Sequence, residues 1–173
     1  MKYNTINLDS FNPLEMKLIK SREKWYGKDD HSRWVFEDNG LFYKLWNETY
    51  VRRDNVKQGI DCGFYDETIV PSLVSLIYNE GICRGYVTKK CKKYESDINS
   101  FYKKIEEKTK NTNFFVYDYT EKHVMDYNGK LSLIDLEGIV PLSEYDDIAN
   151  DRFHASFASE KYRRFVCEIY KNK

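Results

Sequence analysis

The segment Asn113–Val140 constrains the fold of this chain most, because it combines two apolar runs, two aspartates and a strong turn signal. Asp118 follows one aromatic and apolar run, and Asp135 follows another. Between them lies Asn128-Gly129, a pair that readily adopts the positive φ angles of a tight turn. Short strands are predicted on both sides of this turn, and the hairpin that they form is expected to hold the two aspartates near one another.

Two carboxylates in such a position suit the transfer of a phosphoryl group. Mg²⁺ neutralises polyphosphate charge and usually takes one or two carboxylates together with phosphate oxygens and water. Asp135 and Glu137 can supply such ligands, and Asp118 on a rigid loop can accept the proton of an attacking hydroxyl. Taken alone, Asp118 also fits a turn cap, and Asp135 the end of an exposed strand. Their joint spacing favours the chemical interpretation.

Length and composition indicate one well-buried domain, or two small lobes that share a cleft. The chain has 173 residues, 41% of them hydrophobic and 16% aromatic, so we expect an ordered protein. Its 28 basic residues balance its 28 acidic ones, so no global field directs it to nucleic acid or to a membrane surface. No stretch approaches the ~20 apolar residues of a membrane span. The four cysteines are widely spaced and show no zinc motif. We therefore expect a soluble, cytoplasmic protein with free thiols.

A second hairpin is predicted nearer the start of the chain. The runs Arg33–Glu37 and Leu41–Trp46 are aromatic and β-branched, and Asp38-Asn39-Gly40 joins them. Lys44 is the basic residue of the second run and has apolar or aromatic neighbours on both sides. By itself Lys44 fits equally well a lysine that protects the edge of a sheet from aggregation.

Helices and one further strand are predicted in the rest of the chain. The segment Asp66–Gly81 fits a helix with an apolar face and Pro71 in its first turn, and a pair of strands is the alternative. Ile82–Thr88 reads as a strand, and Ser96–Lys110 reads as an amphipathic helix. The region after Ser143 is predicted to be helical, because an apolar stripe at helical spacing lies near its end.

These segments together resemble the protein-kinase-like phosphotransferases. In that family a catalytic-loop aspartate is followed by a metal-binding asparagine, then by a short hairpin, and then by a metal-binding aspartate at the end of a strand. Asp118 matches the first position, His123 stands where asparagine is expected, and Asp135 matches the last. The sequence Asp135-Leu136-Glu137 looks more like the form in small-molecule and atypical kinases than the form in regulated protein kinases.

The resemblance implies an α+β, protein-kinase-like fold with a small antiparallel β-rich N-lobe and a reduced, mostly helical C-lobe. The N-lobe would span residues 1–88 and the C-lobe residues 89–173, with residues 113–140 as a segment that resembles a catalytic loop. Such a minimal kinase would bind ATP between the lobes and transfer the γ-phosphoryl group to a hydroxyl of a small molecule or protein.

Lys44 would bind the phosphates of ATP in the resemblance. The family's third-strand lysine bridges the α- and β-phosphates and pairs with an acid on a helix. Glu67 is the residue chosen for that acid, with Asp66 and Asp61 as alternatives.

Asp118 would be the catalytic residue that positions the acceptor hydroxyl. Asp135, His123 and Glu137 would hold the metal ion. Mn²⁺ is an alternative to Mg²⁺, because a neutral imidazole suits transition metals better.

Two other interpretations stay open. The segment Ser21–Ser32, where a glycine-rich loop over the phosphates is expected, contains only Gly27. Together with His123, this favours a pseudokinase-like module that binds nucleotide or a partner protein without catalysis. The four lysines between Lys89 and Lys93 allow a third interpretation, an unrelated α+β protein that binds nucleic acid phosphates.

Overall fold

A five-stranded sheet forms the first part of the fold in the computed structural model, which describes residues 4–7, 34–46, 54–95, 97–117, 119–151 and 160–172. The strands are β1 (Asn4–Asn7), β2 (Trp34–Asp38), β3 (Leu41–Leu45), β4 (Leu73–Asn79) and β5 (Ile82–Lys89). Their order across the sheet is β1-β4-β5-β3-β2, and all neighbours are antiparallel except the parallel pair β1 and β4. The predicted strand at residues 82–88 is confirmed as β5.

The predicted hairpin at Asp38-Asn39-Gly40 is confirmed by β2 and β3. Asn39 and Gly40 form its turn with φ angles of 50° and 74°, the left-handed region that this residue pair tolerates. On the other side of β3, Lys44 lies opposite Tyr86 of β5. Lys44 is therefore inside the sheet rather than on its edge.

The predicted helix Asp66–Gly81 is wrong. Leu73–Asn79 is β4, and it pairs with β5 through a turn at Glu80-Gly81, where both φ angles are positive. The alternative of two strands is confirmed only in part, because the segment contains one strand, β4, and the partner strand β5 follows it. Leu76 packs into the main core, whereas the next residue, Ile77, packs into a smaller cluster. Since successive side chains of a strand point to opposite faces, a strand buried on both faces reads as a continuous apolar run that periodicity cannot distinguish from a helix.

The second part of the fold contains two strand pairs and most of the helices of the described residues. Helix α1 (Asn55–Asp61) precedes β4 in the chain. The other elements are α2 (Asn99–Thr112), β6 (Phe114–Val116), β7 (Val124–Tyr127), β8 (Lys130–Leu133), β9 (Ile139–Pro141), α3 (Tyr145–Asp151) and α4 (Glu160–Lys171). β7 and β8 form the predicted hairpin, with φ angles of 52° at Asn128 and 80° at Gly129. β6 pairs with β9, so the chain returns beside its own path after the hairpin.

The predicted helices in this part are confirmed for the described residues, whereas positions 152–159 of the last predicted helical region lie outside them. α2 is the amphipathic helix, shifted by a few residues, and it ends at Asn113, whose φ of 61° is the left-handed conformation common after a helix. α4 carries the apolar stripe of the last helical region, and its residues Tyr162 and Val166 are buried.

The hydrophobic core is continuous between the five-stranded sheet and the second part. Trp46, Leu76 and Tyr86 from the sheet share one cluster with Phe115 and Leu136. The described residues thus form a mixed α+β fold with a small, mostly antiparallel sheet and four helices. The four cysteines, all within the described residues, are free, as predicted. None of the described helices has both the length and the apolar character needed to span a bilayer.

Candidate functional site

A mostly apolar cleft of about 380 Å³ lies between the sheet and the β7–β8 hairpin. One wall comes from β3 and β5, and the other comes from the hairpin and the residues next to it. The residues that line the cleft are Phe42, Lys44, Tyr86, Thr88, Lys89, Cys91, His123, Met125, Ile134 and Asp135. Its volume falls in the range of about 300–1,000 Å³ that is usual for small-molecule sites.

Backbone hydrogen bonds fix the hairpin against the sheet. Lys92, just after β5, and Asp126 of β7 exchange two of them, with N···O distances of 2.9 and 2.8 Å. At the other end, the amide of Leu133 donates to the carbonyl of Ile69 at 2.9 Å. The first two bonds join the two walls of the cleft directly, and the third holds the hairpin to the turn that precedes β4.

The alternation of β3 directs Lys44 to this cleft. Phe42 and Lys44 line it, whereas Tyr43 and Leu45 pack in the small apolar cluster on the opposite face of the sheet. The ammonium group of Lys44 is bonded to Asp135, which follows β8, and the side chains of both residues are mostly buried. The structure thus brings together two charges that lie 91 residues apart in the sequence.

Two side-chain hydrogen bonds hold the segment that carries Asp135 in place. The hydroxyl of Tyr65 donates to the carbonyl of Leu136 at 2.6 Å. The side-chain amide of Asn55 donates to the carbonyl of Ile139 at 2.6 Å. Since Tyr65 is 1% exposed, these bonds hold the turn after β8 against the core of the protein.

Glu137 also contacts Lys44, and it is only 2% exposed. The Lys44 Nζ atom lies 2.7 Å from Oε1 and 3.0 Å from Oε2 of this carboxylate. The indole N–H of Trp46 donates to Oε1 at 3.1 Å, and the hydroxyl of Tyr86 lies 3.0 Å from Oε2. Glu137 is therefore a buried acceptor surrounded by one cation and two neutral donors.

Burial and the charges around Lys44 shift the pKa values of Asp135 and Tyr86 in opposite directions. Burial by itself raises the pKa of Asp135, but the ammonium of Lys44 and interactions with Glu137 and His123 outweigh it, so the pKa lies below its ordinary value. Burial, followed by the negative charges of Glu137 and Asp135, raises the pKa of Tyr86 well above its ordinary value. Near neutral pH, Asp135 is therefore ionised and Tyr86 keeps its proton.

His123 lies on the same cleft, at the end of a short 3₁₀ turn at residues 121–123. Its Nε2 atom is 3.6 Å from Oδ2 of Asp135, and its carbonyl accepts a hydrogen bond of 2.9 Å from the amide of Ile134. Two of the predicted metal ligands are thus neighbours.

The donor set suits a metal ion that is bound together with a phosphate group. Nowhere in the described ranges do three or more His, Cys, Asp or Glu side chains form a group that could hold a metal ion. Asp135 offers an ionised oxygen at the cleft, and Mg²⁺ commonly takes one or two carboxylates while phosphate and water complete its shell. Asp135 could therefore supply one oxygen ligand to a cation, and the other ligands would come from a bound molecule or from water.

Asp118, the predicted catalytic residue, lies outside the described residues, as does Gly27. Tyr117, the residue before Asp118, lies beside the turn that follows Asp135. Its amide donates to the carbonyl of Gly138 at 2.8 Å. The role of Asp118 stays a prediction.

The three acids considered as the helix partner of Lys44 have other neighbours. Asp61 is paired with Lys57 on the surface of α1. Asp66 accepts a hydrogen bond of 2.6 Å from Lys108 of α2. Glu67 lies in an exposed turn and lines a different cavity of about 530 Å³. The segment predicted to place Glu67 on a helix contains β4 instead, and the acids found at Lys44 are Asp135 and Glu137.

Trp46 and Tyr86 were not singled out from the sequence. Tyr86 is the register partner of Lys44, and this relation depends on how two distant strands align. Trp46 could have been recognised from the sequence, because it follows Lys44 by two residues and so lies on the same face of an extended chain. Its indole N–H needs a hydrogen-bond partner when it is buried.

The pKa of Asp66 predicts how stability depends on pH near α2. Burial raises this pKa, but hydrogen bonds from Lys108 and Thr68 outweigh it, so it lies below the ordinary value of 3.8. A depressed pKa in the folded state stabilises the fold above the unfolded-state pKa, and this contribution is lost as the pH falls through the folded-state value. We expect the difference in free energy of unfolding between wild type and Asp66→Asn to be largest near neutral pH and to shrink below about pH 4.

Urea unfolding of both proteins across this pH range measures that difference. Asp61→Asn is the control, because exposed ion pairs contribute less than about 1 kcal/mol. A difference between wild type and Asp66→Asn that stays constant into the acid range would contradict the prediction.

No protein-family model matches this chain, and a search of curated proteins finds no significant similarity.

Proposed function

We propose that this protein is an atypical, kinase-like phosphotransferase that binds ATP with Mg²⁺ or Mn²⁺ in the cleft and transfers the γ-phosphoryl group to a hydroxyl acceptor. One observation carries the proposal: the ammonium of Lys44 from β3 and the carboxylate of Asp135 after β8 meet on a single cleft. A sheet lysine and an aspartate after a hairpin are the groups that kinase-like enzymes aim at the phosphates and their metal.

The charged groups Lys44, Asp135 and Glu137 support the binding of a metal cation beside a polyphosphate. The carboxyl groups of Asp135 and Glu137 share one ammonium, so a cation could take part of the place of Lys44 at Asp135. Mg²⁺, when bound, would supply the charge that stabilises the transferring phosphoryl group. Asp135 would hold that ion on the side of the cleft where His123 lies, and Lys44 would bind phosphate oxygens.

The apolar part of the cleft supports a planar base. Phe42 from β3 and Met125 from β7 belong to opposite walls, and Ile134 continues the second wall. Flat aromatic and apolar walls favour a heteroaromatic ring, because both faces of the ring then leave water. Asp118 would accept the proton of the acceptor hydroxyl.

A pseudokinase-like module is the second candidate, and a specific contact favours it. Lys44 and Asp135 are bonded directly to each other, so each satisfies the charge that catalysis would direct to the nucleotide and its metal. His123 at the position of the expected asparagine agrees with a weakened metal site. In this candidate the cleft binds nucleotide, or a partner protein, and no phosphoryl group is transferred.

Thermal unfolding with a non-hydrolysable ATP analogue and Mg²⁺ or Mn²⁺ tests binding. At an analogue concentration one hundred times its Kd, the folded state gains about 2.7 kcal/mol, so a clear rise in Tm is expected for the wild type. Lys44→Met is expected to lose most of this rise. Lys90→Met is the matched control, because Lys90 is exposed and paired with Glu37.

Release or transfer of the γ-phosphate then separates enzyme from module. No rise in Tm at millimolar analogue, or an equal rise in the Lys44→Met variant, would contradict the nucleotide site. Binding without turnover in the presence of candidate hydroxyl acceptors would support the second candidate.

A further inference from the structure

Glu137 and Asp135 occupy different environments although they lie two residues apart. Asp135 lines the cleft, with 18% of its side chain exposed, whereas Glu137 is 2% exposed. A metal ion bound with a nucleotide in the cleft would meet Asp135 there. The burial of Glu137 points to a partner within the protein.

The oxygens of Glu137 already have donors of the protein around them. Lys44 Nζ lies 2.7 Å from Oε1 and 3.0 Å from Oε2, Trp46 donates to Oε1 at 3.1 Å, and the hydroxyl of Tyr86 lies 3.0 Å from Oε2. The proton of Tyr86 can go either to Glu137 or to the carbonyl of Ile134, which is also 3.0 Å away. The charged acceptor forms the stronger hydrogen bond. A cation would have to displace one of these donors to bind Glu137.

Asp135 has two demands on its charge, since it bonds Lys44 and would also hold the metal ion. If Lys44 depended on Asp135 alone, binding of a cation would remove the only anchor of its ammonium. Glu137 provides a second anchor at 2.7 Å and is not among the residues that line the cleft. Trp46 and Tyr86 fix this second anchor in place, and both are buried.

We infer that Glu137 is a positioning residue that holds the ammonium of Lys44 at the phosphate end of the cleft and leaves Asp135 to bind the cation. It takes over the task of the helix acid, for which Glu67 was predicted, and it is not a metal ligand. This inference rests on the proposed function for its consequence in nucleotide binding. The placement of Lys44 itself can be tested without nucleotide.

Acetylation of lysines by a soluble acylating reagent, followed by peptide mass spectrometry, measures how firmly Lys44 is held. In the nucleotide-free protein we expect Glu137→Gln to raise the rate at Lys44 about tenfold, the size of one lost charged hydrogen bond. Trp46→Phe removes one donor to Glu137 but keeps both charges, and a rise of about threefold is expected. The Trp46→Phe variant carries the test if Glu137→Gln does not fold.

Glu37→Gln is the matched control, because it makes the same substitution at the exposed pair with Lys90 and should leave Lys44 unchanged. With nucleotide present, Glu137→Gln should weaken affinity for the ATP analogue about tenfold. The Mn²⁺ concentration for half-saturation should stay as in wild type. Asp135→Asn should raise that Mn²⁺ concentration.

Two results would overturn the inference. One is an acetylation rate at Lys44 that is the same in wild type, Glu137→Gln and Trp46→Phe. The other is a shift of the Mn²⁺ midpoint in Glu137→Gln as large as in Asp135→Asn, which would make Glu137 a metal ligand. If wild type binds no nucleotide, the proposed function fails, and the acetylation rates still decide the positioning role.

Discussion

Asp135→Asn is expected to lower phosphoryl transfer on the order of a thousandfold while the protein stays folded, because a preorganised charge is lost at the reacting end of the cleft. Asparagine has nearly the same shape as aspartate but carries no negative charge to hold a divalent cation. Lys44 keeps its second anchor at Glu137, so the local structure should survive. The measurement is kcat/KM for γ-phosphate transfer or release at saturating Mg²⁺ or Mn²⁺.

Asp126→Asn is the control for this prediction. Asp126 belongs to the same hairpin, where its carboxylate accepts a hydrogen bond of 3.0 Å from the amide of Gly129, and asparagine can accept the same bond. Its activity should stay within about twofold of wild type, because asparagine keeps this bond and Asp126 does not line the cleft. An Asp135→Asn enzyme that keeps a tenth or more of wild-type kcat/KM would exclude the proposed role of Asp135.

Gly85→Ala is expected to destabilise the fold by about 3–5 kcal/mol, which is a large part of the total stability of a domain this size. A Cβ atom at position 85 would lie 1.9 Å from the carbonyl oxygen of Lys44 and 2.9 Å from its carbonyl carbon. Both are main-chain atoms of the neighbouring strand β3, and a side-chain rotation cannot relieve the overlap. The strands β3 and β5 would have to separate at the position of Lys44.

Urea unfolding of the purified variant measures the loss, and Gly59→Ala is the comparator. At Gly59 a Cβ would meet only side-chain atoms, the closest being a ring carbon of Tyr65 at 2.6 Å and the end of Ile139 at 2.9 Å. Alanine also favours the interior of α1 over glycine by about 1 kcal/mol. Gly59→Ala should therefore lose less stability than Gly85→Ala. A Gly85→Ala protein that unfolds at the wild-type urea concentration would contradict the close approach of the two strands.

Local turn chemistry allowed much of the fold to be predicted from the sequence. Both hairpins depend on an asparagine followed by glycine, and such a pair acts within a few residues whatever the rest of the chain does. Helix α2 was found for a similar reason, because its apolar spacing is long and regular. β4 was assigned wrongly, since a short apolar run takes its conformation from the strands that cover it.

The partners within the candidate site depend on contacts between distant segments. The charge of Lys44 and its apolar neighbours can be read from the sequence, whereas the choice of Glu137 over Glu67 as its neighbour follows from the turn after Asp135. That turn is set by buried bonds such as the one from Tyr65 to Leu136. No local pattern contains such a bond, because its two ends are 71 residues apart.

The two main-chain hydrogen bonds between Lys92 and Asp126 have a consequence for how the cleft can adapt to different guests. Because amide and carbonyl groups make them, this link between sheet and hairpin does not depend on the side chain of Lys92. Adaptation to a bulkier or slimmer guest would then fall to the side chains that protrude into the gap, above all Phe42 and Met125. The backbone sets the width of the cleft, and two replaceable side chains decide which guest fits.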